Sequence, residues 1–266
     1  MKYKIIVTTL FLICSYMVNS QNSSQKNSEL ITVQEIMSEA FRSSNIVMMN
    51  EAHFGQKRNI RTRIIGQLAL PKAHAEGVRI LAMEALTKEF ADEANSTRKV
   101  PKAPSNFGYL HQPEMRNLMQ LALDLNWELV AYEAYTDDKS KLNNSPESIN
   151  WREKEQANNL AKILKSHKKG TKILVWCGNS HLNKKPAKHA SSDFYPMGYQ
   201  FWKTTGIEPF TIDQASTTVD FTGDNSRFQK WIVYEEQLKN NFYGTMGTIN
   251  RKNKSAKIFS LHNQLE

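Results

Sequence analysis

The sequence predicts an α/β fold: a mostly parallel central sheet of about five strands, with helices on both faces. Five short apolar runs predict the strands, and apolar residues at helical spacing separate them. Near-continuous apolar strands are typical of parallel sheets, because such strands are buried on both faces. The strands are predicted at residues 45–50, 78–83, 127–132, 172–177 and 209–212.

Capping residues and apolar spacing predict the helices that lie between these strands. Pro113 suits the first turn of a helix, and Gly77 and Gly206 follow the last apolar residues of two others. Asn150 with Glu153 predicts a capping box at the start of the helix before the fourth strand. A short helix over residues 32–42 precedes the first strand, another covers 197–205, and weaker patterns predict added strands at 231–234 and 256–261.

The first 20 residues have the features of a secretory signal peptide. Lys2 and Lys4 precede an apolar stretch over residues 5–14 that is short for a membrane span, and small residues end the segment at Ser20. Export to the periplasm or the extracellular space is therefore predicted. Anchoring as a lipoprotein through Cys14 is disfavoured, because a bulky isoleucine precedes that cysteine.

The predicted organisation has three parts: a signal peptide at residues 1–20, a polar tail with a short helix at 21–44, and a single α/β domain at 45–266. No later apolar run is long enough to span a membrane, so no span is expected after signal removal. The formal charge of +9 becomes +7 without the two lysines of the signal. No basic motif interleaved with aromatic residues occurs, which favours a solvated basic surface over nucleic-acid binding.

Residues of catalytic type follow the predicted strands at their carboxyl ends. In a parallel sheet these ends meet at one edge, where such folds bind ligands. Polar residues also end strands simply because loops begin there, but several in succession favour a functional site. The predicted catalytic residues are Glu51, His53, Glu84 and His181, and the predicted substrate-binding residues are Glu133, Arg152 and Asn179. A structural role is favoured for Asp213 and Glu155.

Two kinds of chemistry suit this set of residues. Histidines and carboxylates can activate water as a base and an acid whose pKa values differ. Alternatively His53, Glu84 and His181 could bind a divalent transition metal with an open coordination position, although their spacing is not that of the HExxH motif. No Gly-x-Ser-x-Gly elbow and no phosphate-binding glycine loop occurs, and Cys177 lies in an apolar run that favours a buried structural thiol.

Four short motifs resemble the superfamily that joins erythromycin esterases, ChaN-like haem-binding uptake proteins and Tiki/TraB-type proteins. The motifs lie at residues 50–53, 81–84, 151–153 and 176–181. Asn50 stands where that family usually has glycine, and the helical region that covers the substrate in the esterases is mostly missing.

The resemblance implies an α/β fold with its site at the strand ends, and its members differ in activity. Esterase-like members imply a hydrolase that uses a His/Glu set without a metal, and Tiki-like members imply a metal-dependent peptidase. The sequence therefore predicts hydrolysis of an ester, amide or peptide bond in a small-molecule or peptide substrate. ChaN-like members imply the alternative, a haem or iron binding protein without turnover.

Overall fold

The computed structural model describes residues 30–52, 56–84, 86–102, 108–189, 192–217 and 245–260. Its strands, in chain order, are β1 Ile46–Glu51, β2 Ile80–Met83, β3 Glu128–Ala131, β4 Ile173–Gly178, β5 Ala187–His189, β6 Ser192–Phe194, β7 Phe210–Asp213, β8 Thr245–Asn250 and β9 Ser255–Ser260. Seven of them form one sheet in the order β3-β2-β4-β1-β7-β9-β8, and β5 pairs with β6 in a separate hairpin. All neighbours in the large sheet are parallel except β8 and β9. The predicted α/β fold with a mostly parallel sheet is confirmed.

Six α-helices cover this sheet in the described part of the chain. They are α1 Val33–Ser43, α2 Gln56–Ala75, α3 Lys88–Thr97, α4 Pro113–Asp124, α5 Pro146–Ser166 and α6 Met197–Thr205. The helices predicted at 32–42 and 197–205, and the start at Pro113, agree with α1, α6 and α4 within one residue. None of the described helices has the length and apolar character needed to cross a membrane.

Alternate residues of each strand point to opposite faces of the sheet, and this separates two hydrophobic cores. Val47 and Met49 of β1 pack in the core to which α1, α2, α3 and α4 contribute. Ile46 and Met48 pack in the second core, with residues of α5 and α6. The same alternation decides the face of the sheet on which a polar side chain near a strand end emerges.

The start of α5 differs from the prediction. Ser145 caps this helix, because its hydroxyl accepts a hydrogen bond from the Ser148 amide at 3.2 Å, and Pro146 occupies the first turn. Asn150 and Glu153 therefore lie inside the helix, and the predicted capping box between them is wrong. The side chain of Asn150 binds the backbone of Asp193 and Tyr195 instead, at 2.8 Å each.

The sequence predicts one of the two C-terminal strands of the sheet. The strand predicted at 256–261 corresponds to β9, whereas β8 was not predicted. The pattern at 231–234 and the predicted signal peptide at 1–20 lie outside the described residues. The strands β9 and β8 extend the sheet beyond the five strands that the apolar runs indicate.

Gly66 of α2 lies against Trp176 of β4 with no room for a methyl group. A Cβ atom at residue 66 would lie 2.6 Å from the indole ring. We expect Gly66→Ala to lower the free energy of unfolding by about 1–3 kcal/mol through overpacking, although alanine normally stabilises a helix relative to glycine. Denaturant unfolding measures the change. The control is Asn117→Ala on the exposed face of α4, which should leave stability unchanged or raise it, and equal effects of the two variants would contradict the packing argument.

Candidate active site

The candidate active site lies at the carboxyl edge of the sheet, on the face that α5 covers. Glu84 directly follows β2, Glu133 follows β3, and His181 follows β4. Helix α5 adds Arg152 and Glu153 from its second turn. Because the strands are parallel, residues that are far apart in the sequence meet at this edge. We call these five residues the His/Glu cluster.

His181 lies between two carboxylates, one at each ring nitrogen. Its Nε2 atom is 3.3 Å from Glu84 Oε1, and its Nδ1 atom is 2.6 Å from Glu153 Oε1, a close ion pair outside hydrogen-bond geometry. The backbone of His181 is also fixed, since its amide donates to the Gly178 carbonyl at 3.2 Å and its carbonyl accepts from the Gly198 amide at 2.7 Å. Two ion pairs of the ring and two hydrogen bonds of the backbone thus fix the position of the His181 imidazole.

The two carboxylates determine the protonation state of His181. Burial alone would lower the pKa of the imidazole, but the negative charges of Glu84 and Glu153 outweigh burial and raise the pKa to about 10. The side chain of His181 is only 12% exposed, so solvent screens these charges weakly. His181 is therefore an imidazolium cation at neutral pH.

Arg152 joins the carboxylates of Glu84 and Glu133. Its Nη2 atom is 2.6 Å from Glu84 Oε1 and 2.7 Å from Glu133 Oε2, and its Nε atom donates to Glu133 Oε1 at 3.0 Å. Burial alone would lower the pKa of the Arg152 guanidinium. The hydrogen bonds and ion pairs to the two carboxylates together outweigh burial and raise this pKa above its ordinary value. The side chain is 39% exposed, so Arg152 lies where the cluster meets solvent.

Backbone amides hold the carboxylates of the cluster in place. The Gly178 amide donates to Glu84 Oε2 at 2.7 Å, and the amide of Met197 at the start of α6 donates to Glu153 Oε2 at 2.6 Å. Glu133 accepts from the Gln156 side chain at 2.8 Å and from the amide of Ala134 at 2.8 Å. Hydrogen bonds of this kind fix the orientation of a carboxylate.

Glu153 is the member of the cluster that the sequence analysis missed as a functional residue. Its side chain is 2% exposed and contacts both His181 and the first turn of α6. The signal was present in the sequence, because Glu153 precedes Ala157 by four residues and Leu160 by seven, and so lies on the inward-facing stripe of α5. A carboxylate on a buried stripe needs a partner inside the fold, so this position indicated an interaction with a buried polar group.

Glu51 lies on the other face of the sheet, in contact with α2. Its carboxylate accepts from Arg63 Nε at 2.8 Å and from Trp176 Nε1 at 3.2 Å, and both Glu51 and Arg63 have side chains 1% exposed. Glu51 shares the face of Val47 and Met49, whereas Glu84 makes its contacts with α5 on the opposite face. The predicted site residues therefore lie on both faces of the sheet at its carboxyl edge.

Asn50 and Asn179 connect the central strand ends. The Asn50 side chain donates to the Asn179 carbonyl at 2.7 Å and to Asp213 Oδ1 at 2.9 Å, and it accepts from the amides of Gln214 and Ala215. The amide of Asn179 donates to the Glu51 carbonyl at 3.1 Å. The four hydrogen bonds of this buried side chain explain why asparagine lies at the end of β1, and one of them joins Asp213 to the same network.

Two further predictions concern a metal and a thiol. His53 lies outside the described residues, and within the described ranges no group of three His, Cys, Asp or Glu side chains is arranged to hold a metal ion. His181 and Glu84 are instead ion-paired with each other. Cys177 is buried in β4, and burial raises the pKa of its thiol well above the ordinary value. Such a thiol is structural, as predicted.

Comparisons with known proteins relate the chain to bacterial toxins in fold. No family model and no curated protein matches the chain in sequence. A solved structure described as bacterial protein toxins aligns with a TM-score of 0.50 and 13% identity, over 70% of this chain and 38% of that one. The type III effector HopBA1 aligns with a TM-score of 0.50 and 14% identity, over 88% of this chain and 96% of its own. RRSP, a MARTX toxin effector domain from Vibrio vulnificus, aligns with a TM-score of 0.49 and 14% identity, over 67% and 35%.

These structural neighbours correct the resemblance drawn from the four motifs. The two structures that align with a TM-score of 0.50 are a bacterial protein toxin and a type III effector, and not erythromycin esterases, ChaN-like proteins or Tiki/TraB-type proteins, so the predicted membership was wrong. The haem or iron binding alternative rested on that membership and is withdrawn with it. The physical reason is that short polar motifs after parallel strands recur wherever such a sheet edge carries a site. At these identities the likeness shows the fold alone and assigns no reaction.

Proposed function

We propose that the protein is a hydrolase that activates water with its His/Glu cluster and cleaves an ester, amide or peptide bond. The observation that carries the proposal is the position of His181 between Glu84 and Glu153 at the carboxyl edge of the sheet. A carboxylate beside one ring nitrogen fixes the orientation of an imidazole, and acid–base catalysts depend on that orientation. The substrate in this proposal is a small molecule or a peptide.

His181 is the general acid in this mechanism. With a pKa of about 10, its imidazolium carries the proton that a departing alkoxide or amine needs, and it is a poor base at neutral pH.

His53 is the general base in this proposal. It comes two residues after Glu51, at the end of β1, and this role rests on its sequence position, since it lies outside the described residues. Glu51 is bound by Arg63 and Trp176, so its part is to fix the end of β1 from which His53 follows. Glu84 accepts from Arg152 and from the Gly178 amide, and it lies beside His181 as the charge that keeps the imidazolium protonated.

Arg152 and Asn179 are the groups that would bind the substrate. No described residue accepts a hydrogen bond from Nη1 of Arg152, and the side chain of Asn179 forms none with the described residues. Both can therefore donate to a substrate carbonyl on which negative charge develops during attack by water. Glu133 orients Arg152 by accepting from both Nε and Nη2, which makes it a positioning residue.

Export is a part of the same proposal. The basic and apolar character of residues 1–20 supports release of the mature chain into the periplasm or the extracellular space. An exported hydrolase would meet its substrate outside the cytoplasm.

Removal of His181 should lower turnover strongly. We expect His181→Ala to reduce kcat/KM by about a hundredfold or more, the usual contribution of a general acid, with a smaller loss for Glu153→Gln. The measurement is hydrolysis of a panel of esters, amides and peptides. His167→Ala is the matched control, because His167 also lies 3.3 Å from a glutamate, Glu128, but at the opposite edge of the sheet. A folded His181→Ala variant with full activity would rule out the proposed role.

His53 should be needed for hydrolysis and not for folding. We expect His53→Ala to abolish turnover of any substrate that the panel identifies, because no base would remain to take a proton from water. Circular dichroism and the thermal midpoint should match those of the parent protein. Retained activity in the folded variant would remove His53 from the mechanism.

The raised pKa of His181 predicts how stability depends on pH. The ordinary value is 6.5 and the value in the folded protein is about 10. The stabilisation is complete below pH 6.5 and is lost as the pH rises through about 10, because the folded state holds the proton more tightly than the unfolded state. Urea unfolding at several pH values measures this, and His181→Gln should remove most of the decline. An equal decline in both proteins would contradict the assignment.

A further inference from the structure

A groove with a volume of about 680 Å³ lies at the amino edge of the sheet, opposite the His/Glu cluster. The ends of α1 and α5, the segment between α6 and β7, and the turn between β8 and β9 form its walls. Sites for small ligands are usually of this size. We call it the basic groove, and its lysines are Lys165, Lys168, Lys169 and Lys254.

These four lysines are not compensated by acidic partners. Within the described residues, none of them forms an ion pair or a side-chain hydrogen bond, and Lys165, Lys168 and Lys169 are exposed. Glu208 is the acidic residue that lines the groove, and its carboxylate lies 2.8 Å from Lys184 Nζ. The groove therefore carries an excess of positive charge.

Helix ends account for only a part of this charge. A basic side chain in the last turn of a helix is favourable because of the helix dipole, and Arg42 of α1 and Lys165 of α5 occupy such positions. Lys168 and Lys169 come after the end of α5, and Lys254 belongs to the β8–β9 turn. The helix dipoles give no reason for these three lysines to surround one groove.

A neighbouring groove of about 620 Å³ at the amino edge shares Lys168 with the first, and acidic residues, Glu76 and Glu128, line it together with basic ones. Arg79 and Arg98 line this second groove. The hydrogen bonds of Arg79 go to the carbonyls of His74 and Val78, and those of Arg98 go to other backbone carbonyls, so no carboxylate neutralises either guanidinium. The basic groove has the larger excess of basic over acidic residues, and such an excess attracts ions of negative charge.

We propose that the basic groove binds a soluble ligand that carries two or more phosphate or sulfate groups. Lysine ammonium groups bind such anions as point charges, and several lysines on different walls can contact separate anionic groups. The groove is concave, which fits a soluble ligand and not the flat surface of a membrane. Because it lies at the opposite edge of the sheet from the His/Glu cluster, this binding is separate from the proposed hydrolysis.

Binding of pyrophosphate to the whole mature protein at low salt tests the proposal, by calorimetry and by the shift in thermal midpoint. We expect saturable binding that weakens as salt is added, because exposed charges are screened. The triple variant Lys165→Gln/Lys168→Gln/Lys169→Gln should bind about tenfold more weakly, since each exposed charge pair contributes only modestly. Its thermal midpoint without ligand shows whether it is folded, and its hydrolase activity should equal that of the parent.

The matched control is Lys102→Gln/Lys139→Gln/Lys185→Gln, which removes the same charge from exposed positions outside the groove. Binding that is lost only in the groove variant supports the proposal. Equal weakening in both triple variants would overturn it, because net charge and not the groove would then explain binding. Binding to phosphatidylglycerol vesicles without binding to pyrophosphate would also overturn the proposal, since the groove would then bind the headgroups of a lipid surface and not a soluble anion.

Discussion

The ion pairs between His181 and the carboxylates of Glu84 and Glu153 are the interaction on which the arrangement of the site depends. Burying a charged imidazole is costly unless it is paired, and here each ring nitrogen has a carboxylate. The carboxylates in turn need compensation, which Arg152 and the amides of Gly178 and Met197 provide. Each charge of the cluster therefore depends on its neighbours, and removing one leaves its partner less well compensated.

Side-chain alternation along the strands divides the carboxyl edge into two halves. Glu51 emerges toward α2 and pairs with Arg63, whereas Glu84 makes its ion pairs on the side of α5. The two halves meet at the end of β4, where the amide of Gly178 binds Glu84 and the amide of Asn179 binds the carbonyl of Glu51. The polar residues that the sequence predicts as one site therefore form two connected networks of ion pairs and hydrogen bonds, one on each face of the sheet.

The apolar runs were sufficient to predict the parallel strands that flank the site, because a strand buried on both faces leaves a clear continuous signal. The same runs placed Glu84, Glu133 and His181 at one edge, where they are found. The role of Glu153 could not be predicted from the apolar runs. The pattern Asn-x-x-Glu also fits the start of a helix, and the local sequence does not exclude an earlier start at Ser145, which is where α5 begins. Strand β8 was missed because its side chains alternate between buried and half-exposed, without a long apolar run.

The first turn of helix α6 is held at two points, one on α5 and one on the segment after β4. The amide of Met197 binds Glu153, and the amide of Gly198 binds the carbonyl of His181. A Cβ atom at Gly198 would lie 2.7 Å from the carbonyl oxygen of Leu182, so the two segments are in close backbone contact as well. A wider site therefore cannot gain space on this side without losing the imidazolium. Divergence in substrate size would be accommodated instead beside Arg152, where the exposed residues between β3 and α5 can change without disturbing a buried charge.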